Sequence, residues 1–518
     1  MRLSAKPGGL IVGGALLVAV FYVAANLLGD LAEVHSPSVL PFVLLGLALF
    51  VALGFEFVNG FHDTANAVAT VIYTHSLTPQ VAVAWSGLWN FIGVLTSTGA
   101  VAFGIVSLLP VELILQVGSN AGFAMVFALL AAAIIWNLGT WYFGLPASSS
   151  HTLIGSIIGV GIVNQLQSAP SGTSGVDWGQ AASVAQSLLM SPLIGFAISG
   201  ILLLAAKRLV PHRELYIAPR GAAAPPFWIR SLLVLTCTGV SFAHGSNDGQ
   251  KGMGLIMLIL IGTVPTAYAL NRAVSPRGVV DFVAVSHQAA HTLGGDVAAD
   301  GVDAEPRAAI TDYVRTRTLK SSTVPALRQI IIEVADELAM YKELSRVPPE
   351  RVRNFRNDLY VVNEALRGLE RSKAVRFAER DLQILRNYRR HVDDATKFIP
   401  DWVKVAVAIA LGLGTMIGWK RIVVTVGEKI GKQHLTYAQG ATAEITAMAT
   451  IGAADAFGLP VSTTHVLSSG VAGAMAANRS GLQWTTVRNL LMAWVLTLPV
   501  SIFLSGFLFW IFRTIAVR

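Results

Sequence analysis

The chain has 518 residues, of which 53% are hydrophobic and 13% are charged, and its mean hydropathy is +0.60. An ordinary soluble domain carries about 25% charged residues, so this composition excludes a soluble globular protein, a disordered chain and a nucleic-acid-binding protein. Residues 271–400 contain 21 of the 38 lysines and arginines and 18 of the 30 acidic residues, whereas no lysine or arginine lies between Pro7 and Ala206. The sequence therefore predicts an all-α polytopic membrane protein with one helical, soluble insert.

The first apolar run covers residues 8–29 and follows two basic residues, Arg2 and Lys6. This pattern fits either a cleaved signal peptide or a retained membrane helix. Because no small-residue cleavage site follows the run, we expect a retained helix. Apolar runs of roughly 20 residues, enough to span a bilayer, recur along the chain and predict about 10–12 membrane segments. Glycine and polar residues interrupt several runs, which indicates broken or re-entrant helices beside a cavity within the protein.

The distribution of charge divides the chain into parts and indicates an orientation. Five lysines and arginines lie in the loop 207–230, so the positive-inside rule predicts that this loop is cytoplasmic. We expect the insert on the same side, with residues 231–270 crossing the membrane twice between them. The insert is either a solvated linker or a docking site for a regulatory partner. The predicted parts are an additional membrane helix (1–38), a first transmembrane repeat (39–206), the basic loop (207–230), the first part of a second repeat (231–270), the insert (271–400) and the rest of the second repeat (401–518).

Two short motifs each occur twice. Gly60–Ala67 (GFHDTANA) corresponds to Gly245–Gly252 (GSNDGQKG), and Gly144–His151 (GLPASSSH) corresponds to Gly458–His465 (GLPVSTTH). The motifs are 84 residues apart in the first copy and 213 in the second, and the 130-residue insert accounts for the difference. Because each copy has an odd number of crossings, the pattern predicts inverted-topology repeats, as in secondary transporters that bind substrate near the bilayer midplane.

The proline-containing motifs predict an anion site. Proline ends one helix and suits the first turn of the next, and a helix N-terminus offers free N–H donors and a positive dipole end. Hydroxyl groups at both turns would add neutral donors, although helix capping and small-residue packing are alternative roles. We expect His151 and His465 to orient the turns by hydrogen bonding. The predicted anion-binding residues are Ser148, Ser149, Ser150, Ser462, Thr463 and Thr464.

The aspartate-containing motifs predict a site for cations or protons. Ionisable residues inside a membrane are costly and indicate function, and carboxylate and amide oxygens together suit hard cations. Lys251 takes the place of Asn66 in the other copy, so an ammonium group could replace a bound cation. His62 takes the place of Asn247 and titrates near neutral pH, which favours protons over sodium. The predicted coupling residues are His62, Asp63, Asn66, Asn247, Asp248, Lys251 and Glu444, with no fixed metal site and no cofactor.

At these motifs the chain resembles the Pit family of inorganic phosphate transporters, and most of all the bacterial low-affinity type. The resemblance implies phosphate uptake across the bacterial cytoplasmic (inner) membrane by a homodimer with inverted repeats. It also implies that phosphate travels as a neutral complex with a divalent metal (Mg²⁺, Ca²⁺, Zn²⁺ or similar), together with protons. The segments that carry the resemblance are residues 59–74, 136–155, 242–254 and 458–471.

Four alternatives compete with this interpretation. Sulfate or another tetrahedral oxyanion could replace phosphate, and sodium could replace the proton as coupling ion. A serine hydrolase built on Ser149 or Ser150, His151 and an aspartate is disfavoured because a catalytic triad needs only one copy of the motif. No filter motif or ring of like charges indicates a channel. We therefore expect a transporter and not an enzyme.

Overall fold

The computed structural model describes residues 6–31, 39–63, 65–109, 114, 118–167, 176–219, 221, 223–294, 305–372, 375 and 377–516. Within these residues the chain is helical, and the β-structure is limited to a single bridge between Gly431 and Leu482. The predicted all-α class is therefore confirmed.

The membrane region consists of one N-terminal helix and two sets of helices in the same order. The N-terminal helix is α1 (Lys6–Leu31). The first set is α2 (Leu40–Asp63), α3 (Ala65–Tyr73), α4 (Pro79–Thr96), α5 (Ala100–Val106), α6 (Asn120–Tyr142), α7 (Ser149–Gln167) and α8 (Trp178–Leu209). A 3₁₀ turn (Arg213–Tyr216) lies in the basic loop, and α9 (Phe227–Thr263) and α10 (Pro265–Tyr268) follow it.

The insert forms a bundle of its own, as predicted from its charge and helical periodicity. Its helices are α11 (Pro276–Gly294), α12 (Pro306–Thr316), α13 (Thr323–Tyr341), α14 (Pro349–Ser372) and α15 (Glu379–Thr396), with a 3₁₀ turn at Leu344–Arg346. The membrane region then resumes with α16 (Asp401–Thr415), α17 (Lys420–Val424), a π turn (Thr425–Lys429), α18 (Tyr437–Ala456), α19 (Thr463–Ala477) and α20 (Trp484–Ala516).

Helices of the first set pack against helices of the second set. Helix α9 packs on α4 and α16 packs on α2, while α19 packs on α8 and α20 packs on α7. Glycines allow these contacts at equivalent positions. A Cβ atom on Gly60 would lie 2.3 Å from the carbonyl oxygen of Leu411, and one on Gly245 would lie 2.2 Å from that of Asn90. Small residues that let helix backbones approach closely are typical of membrane proteins.

The corresponding helices of the two sets run in opposite directions. Arg230, at the start of α9, donates from Nε to the carbonyl oxygen of Ser76, just after α3, at 2.8 Å. The same end of the bundle therefore holds the end of α2–α3 and the beginning of α9. Both segments exceed 30 residues, about 45 Å of helix, so each crosses the molecule once. This geometry supports the predicted inverted topology.

Helix α9 corrects the prediction for residues 231–270. It continues through Gly245–Gly252, where the sequence indicated a break, and therefore crosses once and not twice. Two contacts, Arg371 Nη2 to Gln180 Oε1 at 3.0 Å and Arg317 Nη2 to Asp177 Oδ2 at 3.6 Å, hold the insert at the start of α8. The basic loop follows the far end of that helix. The prediction that loop and insert share one side of the membrane is therefore wrong.

Six helices are long and apolar enough to cross a membrane: α1, α2–α3 taken together, α6, α8, α9 and α20. Two further pairs of helices are long and apolar enough to cross a membrane only when both members are counted together. They are α4–α5, bent by 77°, and α15–α16, bent by 75°. The total of six to eight among the described residues is lower than the predicted 10–12 segments. The difference arises at α7, α18 and α19, which are too short or too polar, and α7 and α19 begin with hydroxyl residues of the site described below.

A cysteine-labelling experiment tests the opposed positions of loop and insert. The one cysteine, Cys237, is buried, whereas Ala218 in the loop and Ser345 in the insert are exposed. We expect a membrane-impermeant maleimide to label only one of the variants Ala218→Cys and Ser345→Cys in intact cells, and to label the other in inverted vesicles. Labelling of both variants from the same side would contradict the arrangement.

Candidate functional site

Two equivalent turns lead into α7 and α19. Gly144 (φ 67°) and Gly458 (φ 64°) adopt the left-handed conformation that glycine tolerates and end the preceding helices. In the first turn Ser148 Oγ accepts a hydrogen bond from the backbone N–H of His151 at 3.2 Å. In the second turn Ser462 Oγ accepts one from the backbone N–H of His465 at 3.1 Å. These two serines are helix caps, the alternative role considered from the sequence.

The next hydroxyls of the turns lie between the two repeats. Ser149 Oγ donates to Asp63 Oδ2 at 2.9 Å and lies 3.4 Å from Asp248 Oδ2. Thr464 Oγ1 donates to Asp63 Oδ1 at 2.5 Å. The equivalent of Ser149 in the second turn, Thr463, is buried, and its hydroxyl has no hydrogen-bond partner in the structure.

Ser150 connects the first turn to a buried cation. Its hydroxyl donates to the carbonyl oxygen of Val461 at 2.7 Å and accepts a hydrogen bond from Lys251. The Lys251 ammonium also forms an ion pair with Asp248 Oδ1 at 2.7 Å. Lys251 and Asp248 are both fully buried. Burial of charges is costly unless they are paired, so the lysine compensates one carboxylate of the site.

Asp63 and Asp248 form the centre of the site. Asp63 ends α2 and is 2% exposed, and Asp248 lies near the middle of α9. The Asp63 carboxylate also meets His62, whose Nδ1 is 3.1 Å from Oδ1 and whose Nε2 is 3.1 Å from Thr140 Oγ1. Asp248 uses Oδ1 for Lys251 of its own helix, and Asp63 uses Oδ1 for His62 of its own helix and for Thr464 of the other repeat. Both aspartates direct Oδ2 to the space beside Ser149.

Two of the predicted residues, Asn247 and Glu444, stand apart from this centre. Asn247 donates from Nδ2 to the carbonyl oxygen of Leu459 at 3.2 Å. Glu444 accepts a hydrogen bond from Thr236, which lies twelve residues before Asp248 on the continuous helix α9, or about 18 Å along the axis. The side chain of Asn66 lies outside the described residues.

The two motif histidines contact each other and not the hydroxyls of the turns. Their ring centroids are 4.6 Å apart, and the ring of His465 stacks on Trp494 at 4.2 Å. They border a cavity of about 720 Å³ with mainly apolar walls between α7, α8, α19 and α20. Trp494 donates from Nε1 to the carbonyl oxygen of Pro146 at 3.0 Å. The turn is therefore held by this indole, while His151 contributes through its backbone N–H.

Sequence reasoning missed two residues of the site, His244 and Asn90. His244 precedes Asp248 by one helical turn, and its Nε2 lies 3.5 Å from Asp248 Oδ2 and 3.9 Å from Asp63 Oδ2. Its Nδ1 lies 2.6 Å from Asn90 Oδ1. The spacing of four residues before an intramembrane aspartate could have identified the histidine, but its partner lies 154 residues away in the sequence.

The fold and the site together define a class of protein. Two helix N-termini with neutral donors lie against a buried carboxylate pair, at the interface of inverted repeats. Secondary transporters bind an anion and its coupling cations in such a place, so the chain is a membrane transporter.

The comparisons with known proteins identify the family. The sequence model of the phosphate transporter family (PHO4) matches residues 59–505. The low-affinity inorganic phosphate transporter PitA of Escherichia coli (strain K12) is 42% identical over 486 residues, which cover 90% of this chain and 96% of PitA. A probable low-affinity inorganic phosphate transporter of Bacillus subtilis (strain 168) is 28% identical, over 91% of this chain and 98% of that protein. The chain belongs to the phosphate transporter family and is a transporter, not an enzyme.

A solved structure has the same fold. It is a sodium-dependent phosphate transporter with 20% sequence identity and a TM-score of 0.50, and the match covers 91% of this chain and all of that chain. The family membership confirms the resemblance drawn from the paired motifs.

The buried ion pair gives a prediction about stability. Asp248→Asn leaves the Lys251 ammonium without its carboxylate, and Lys251→Met leaves the carboxylate without its cation. Removing one partner of a buried pair costs about 3–5 kcal/mol. We expect both single variants to lower the midpoint of thermal unfolding in detergent, and the double variant to recover most of the loss. Additive losses in the double variant would show that the two groups do not interact.

Proposed function

We propose that the chain imports inorganic phosphate as a complex with a divalent metal, in symport with protons. The observation that carries the proposal is the contact of Asp63 and Asp248 with Ser149, a residue of the first turn of α7. An anion bound at this turn would lie directly beside two carboxylates. Cations must therefore enter with the anion to offset the repulsion.

The membrane potential adds the same requirement. An inside-negative potential opposes anion entry by roughly 2.3 kcal/mol per charge per 100 mV. A divalent metal offsets both negative charges of HPO₄²⁻, so the complex is neutral and its entry is not opposed by the potential. Each proton carried with the complex adds a positive charge, whose entry the potential favours.

The donors proposed to hold phosphate are neutral, which suits a carrier that must also release it. Charge-assisted bidentate bonds from arginine would hold phosphate more tightly than hydroxyl and backbone N–H groups do. Among the residues proposed from the sequence, Thr463 is the strongest candidate because its buried hydroxyl is unpartnered. Ser149 and Ser150 would release their present partners to bind phosphate, whereas Ser148 and Ser462 keep their capping role.

Protons are proposed as the coupling ion because Lys251 already supplies a fixed positive charge to Asp248. A sodium ion bound to Asp248 Oδ1 would lie against the Lys251 ammonium group, which already occupies that oxygen. The imidazole of His62 lies between Asp63 and Thr140, where it is placed to exchange a proton with the carboxylate. Glu444 would take part only as a separate, more distant proton site.

The charge asymmetry of the chain and its bacterial relatives support a proposal for its location. We place it in the bacterial cytoplasmic membrane as a homodimer, with the basic loop in the cytoplasm. Arg421, which stacks on Tyr142 at the end of α6, adds basic charge at the same end of the bundle. Since the insert lies at the opposite end, we place it outside the cytoplasm, where it could dock a regulatory partner.

Uptake of labelled phosphate into proteoliposomes tests the proposal. We expect uptake to follow an imposed pH gradient, to require Mg²⁺ or another divalent metal, to be abolished by a protonophore, and to be insensitive to sulfate. Uptake that follows a sodium gradient, or that proceeds without divalent metal, would contradict the proposed mechanism. Inhibition by sulfate would identify a less selective oxyanion carrier.

A hydroxyl deletion tests the anion site without disturbing protein contacts. Thr463→Val removes a hydroxyl that bonds to no protein group, so we expect a folded protein whose KM for phosphate rises about tenfold, the loss of one hydrogen bond to a charged group. Thr450→Val is the matched control, because Thr450 bonds only to the carbonyl oxygen of Thr446 on its own helix. Equal KM values for the two variants would remove Thr463 from the site.

A further inference from the structure

His244 is held with one ring nitrogen free to bind a cation. Asn90 donates from Nδ2 to the carbonyl oxygen of Ser86 at 2.9 Å and lies 3.3 Å from Ser86 Oγ. These contacts turn its amide oxygen Oδ1 toward His244 Nδ1, 2.6 Å away. An amide oxygen only accepts hydrogen bonds, so Nδ1 carries the proton. In the neutral ring the lone pair is then on Nε2.

That lone pair points into a space bordered by negative charge. His244 is 3% exposed, and its Nε2 has no hydrogen-bond partner in the structure. Asp248 Oδ2 lies 3.5 Å from this nitrogen and Asp63 Oδ2 lies 3.9 Å from it. Three electron-rich atoms around one point repel one another unless a cation lies between them.

The spacing of these atoms fits a single metal ion. The three ligand atoms lie within 4.8 Å of one another. Ligands bound at about 2.1 Å to one ion are at most about 4.2 Å apart, and both measured nitrogen-to-oxygen distances are below this limit. The other carboxylate oxygens are already engaged, since Lys251 pairs with Oδ1 of Asp248 and Thr464 donates to Oδ1 of Asp63. The two Oδ2 atoms, both beside the Ser149 hydroxyl, become available to a metal when Ser149 turns to phosphate, as proposed above.

We infer that His244, Asp63 and Asp248 bind the divalent metal that travels with phosphate, and that the imidazole favours transition metals such as Mn²⁺ and Zn²⁺ over Mg²⁺ and Ca²⁺. Imidazole is a good ligand for Zn²⁺ and its neighbours, whereas Mg²⁺ and Ca²⁺ prefer oxygen. Three protein ligands leave coordination positions open. Phosphate oxygens at the turn beside Ser149 would fill them.

This inference rests on the proposed metal–phosphate symport and adds the ligand set and the metal preference. Asn90 acts as a positioning residue, because hydrogen bonds to the second ring nitrogen fix the tautomer and orientation of metal-binding histidines. The site would bind cargo that is released in each transport cycle. It therefore differs from a fixed structural metal centre.

Pulsed EPR on the purified full-length protein with Mn²⁺ tests the ligand set. We expect one bound Mn²⁺ per chain with hyperfine coupling to an imidazole ¹⁴N, replaced by ¹⁵N coupling when the protein contains ¹⁵N-labelled histidine. His244→Gln should abolish the nitrogen coupling and weaken Mn²⁺ binding by at least about tenfold. His291→Gln, at an exposed position on α11, is the control and should change neither result.

Uptake measurements separate this inference from the proposed function. In His244→Gln we expect the ratio of Mn²⁺- or Zn²⁺-supported to Mg²⁺-supported phosphate uptake to fall by at least about tenfold. Metal-dependent uptake by a protein whose bound Mn²⁺ shows no nitrogen coupling would overturn the ligand assignment and leave the symport intact. Nitrogen-coupled Mn²⁺ in a protein whose uptake needs no metal would support the site and overturn metal–phosphate symport. The labelled wild-type sample requires no substitution, so the test does not depend on a variant that folds.

Discussion

The arrangement of the site depends on two carboxylates that are buried in the middle of a membrane protein. A buried charge is tolerated only when it is paired or hydrogen-bonded. Asp248 is paired with Lys251, and Asp63 is bound by hydroxyls from both repeats. Asp63 contacts Thr464 as well as Ser149. The two helices that follow the turns, α7 and α19, therefore have to begin beside the Asp63 carboxylate. The two repeats therefore meet at this carboxylate.

The repeats supply similar backbones with different side chains. The glycine contacts at Gly60 and Gly245 and the capped turns are nearly symmetric. The ionisable groups are not symmetric, since Lys251 and His244 belong to α9, and His62 to α2. Symmetry thus places neutral donors of both repeats around one site, and we propose that the side chains that differ between the repeats set which cations accompany the anion.

Much of the fold and the central residues of the site could be predicted from the sequence. The paired motifs gave the repeats, both turns and both central aspartates, because proline, glycine and charge have strong local meaning in apolar sequence. The break expected at Gly245–Gly252 was wrong because its glycines serve close packing: Cβ atoms there would strike Asn90, Val94 and Glu56. Because of that error, the insert was predicted at the same side of the membrane as the basic loop. The pairing of His244 with Asn90 depends on tertiary contacts over 154 residues, which local patterns do not reveal.

The central claim is that one composite site holds the anion and its metal together. Calorimetric titration of phosphate into the purified protein, with and without saturating Mn²⁺, tests it most directly. The account predicts that Mn²⁺ lowers the Kd for phosphate by at least about tenfold, or about 1.4 kcal/mol, and that phosphate strengthens Mn²⁺ binding by the same factor, as reciprocal linkage requires. Phosphate binding of equal strength with and without the metal would contradict it.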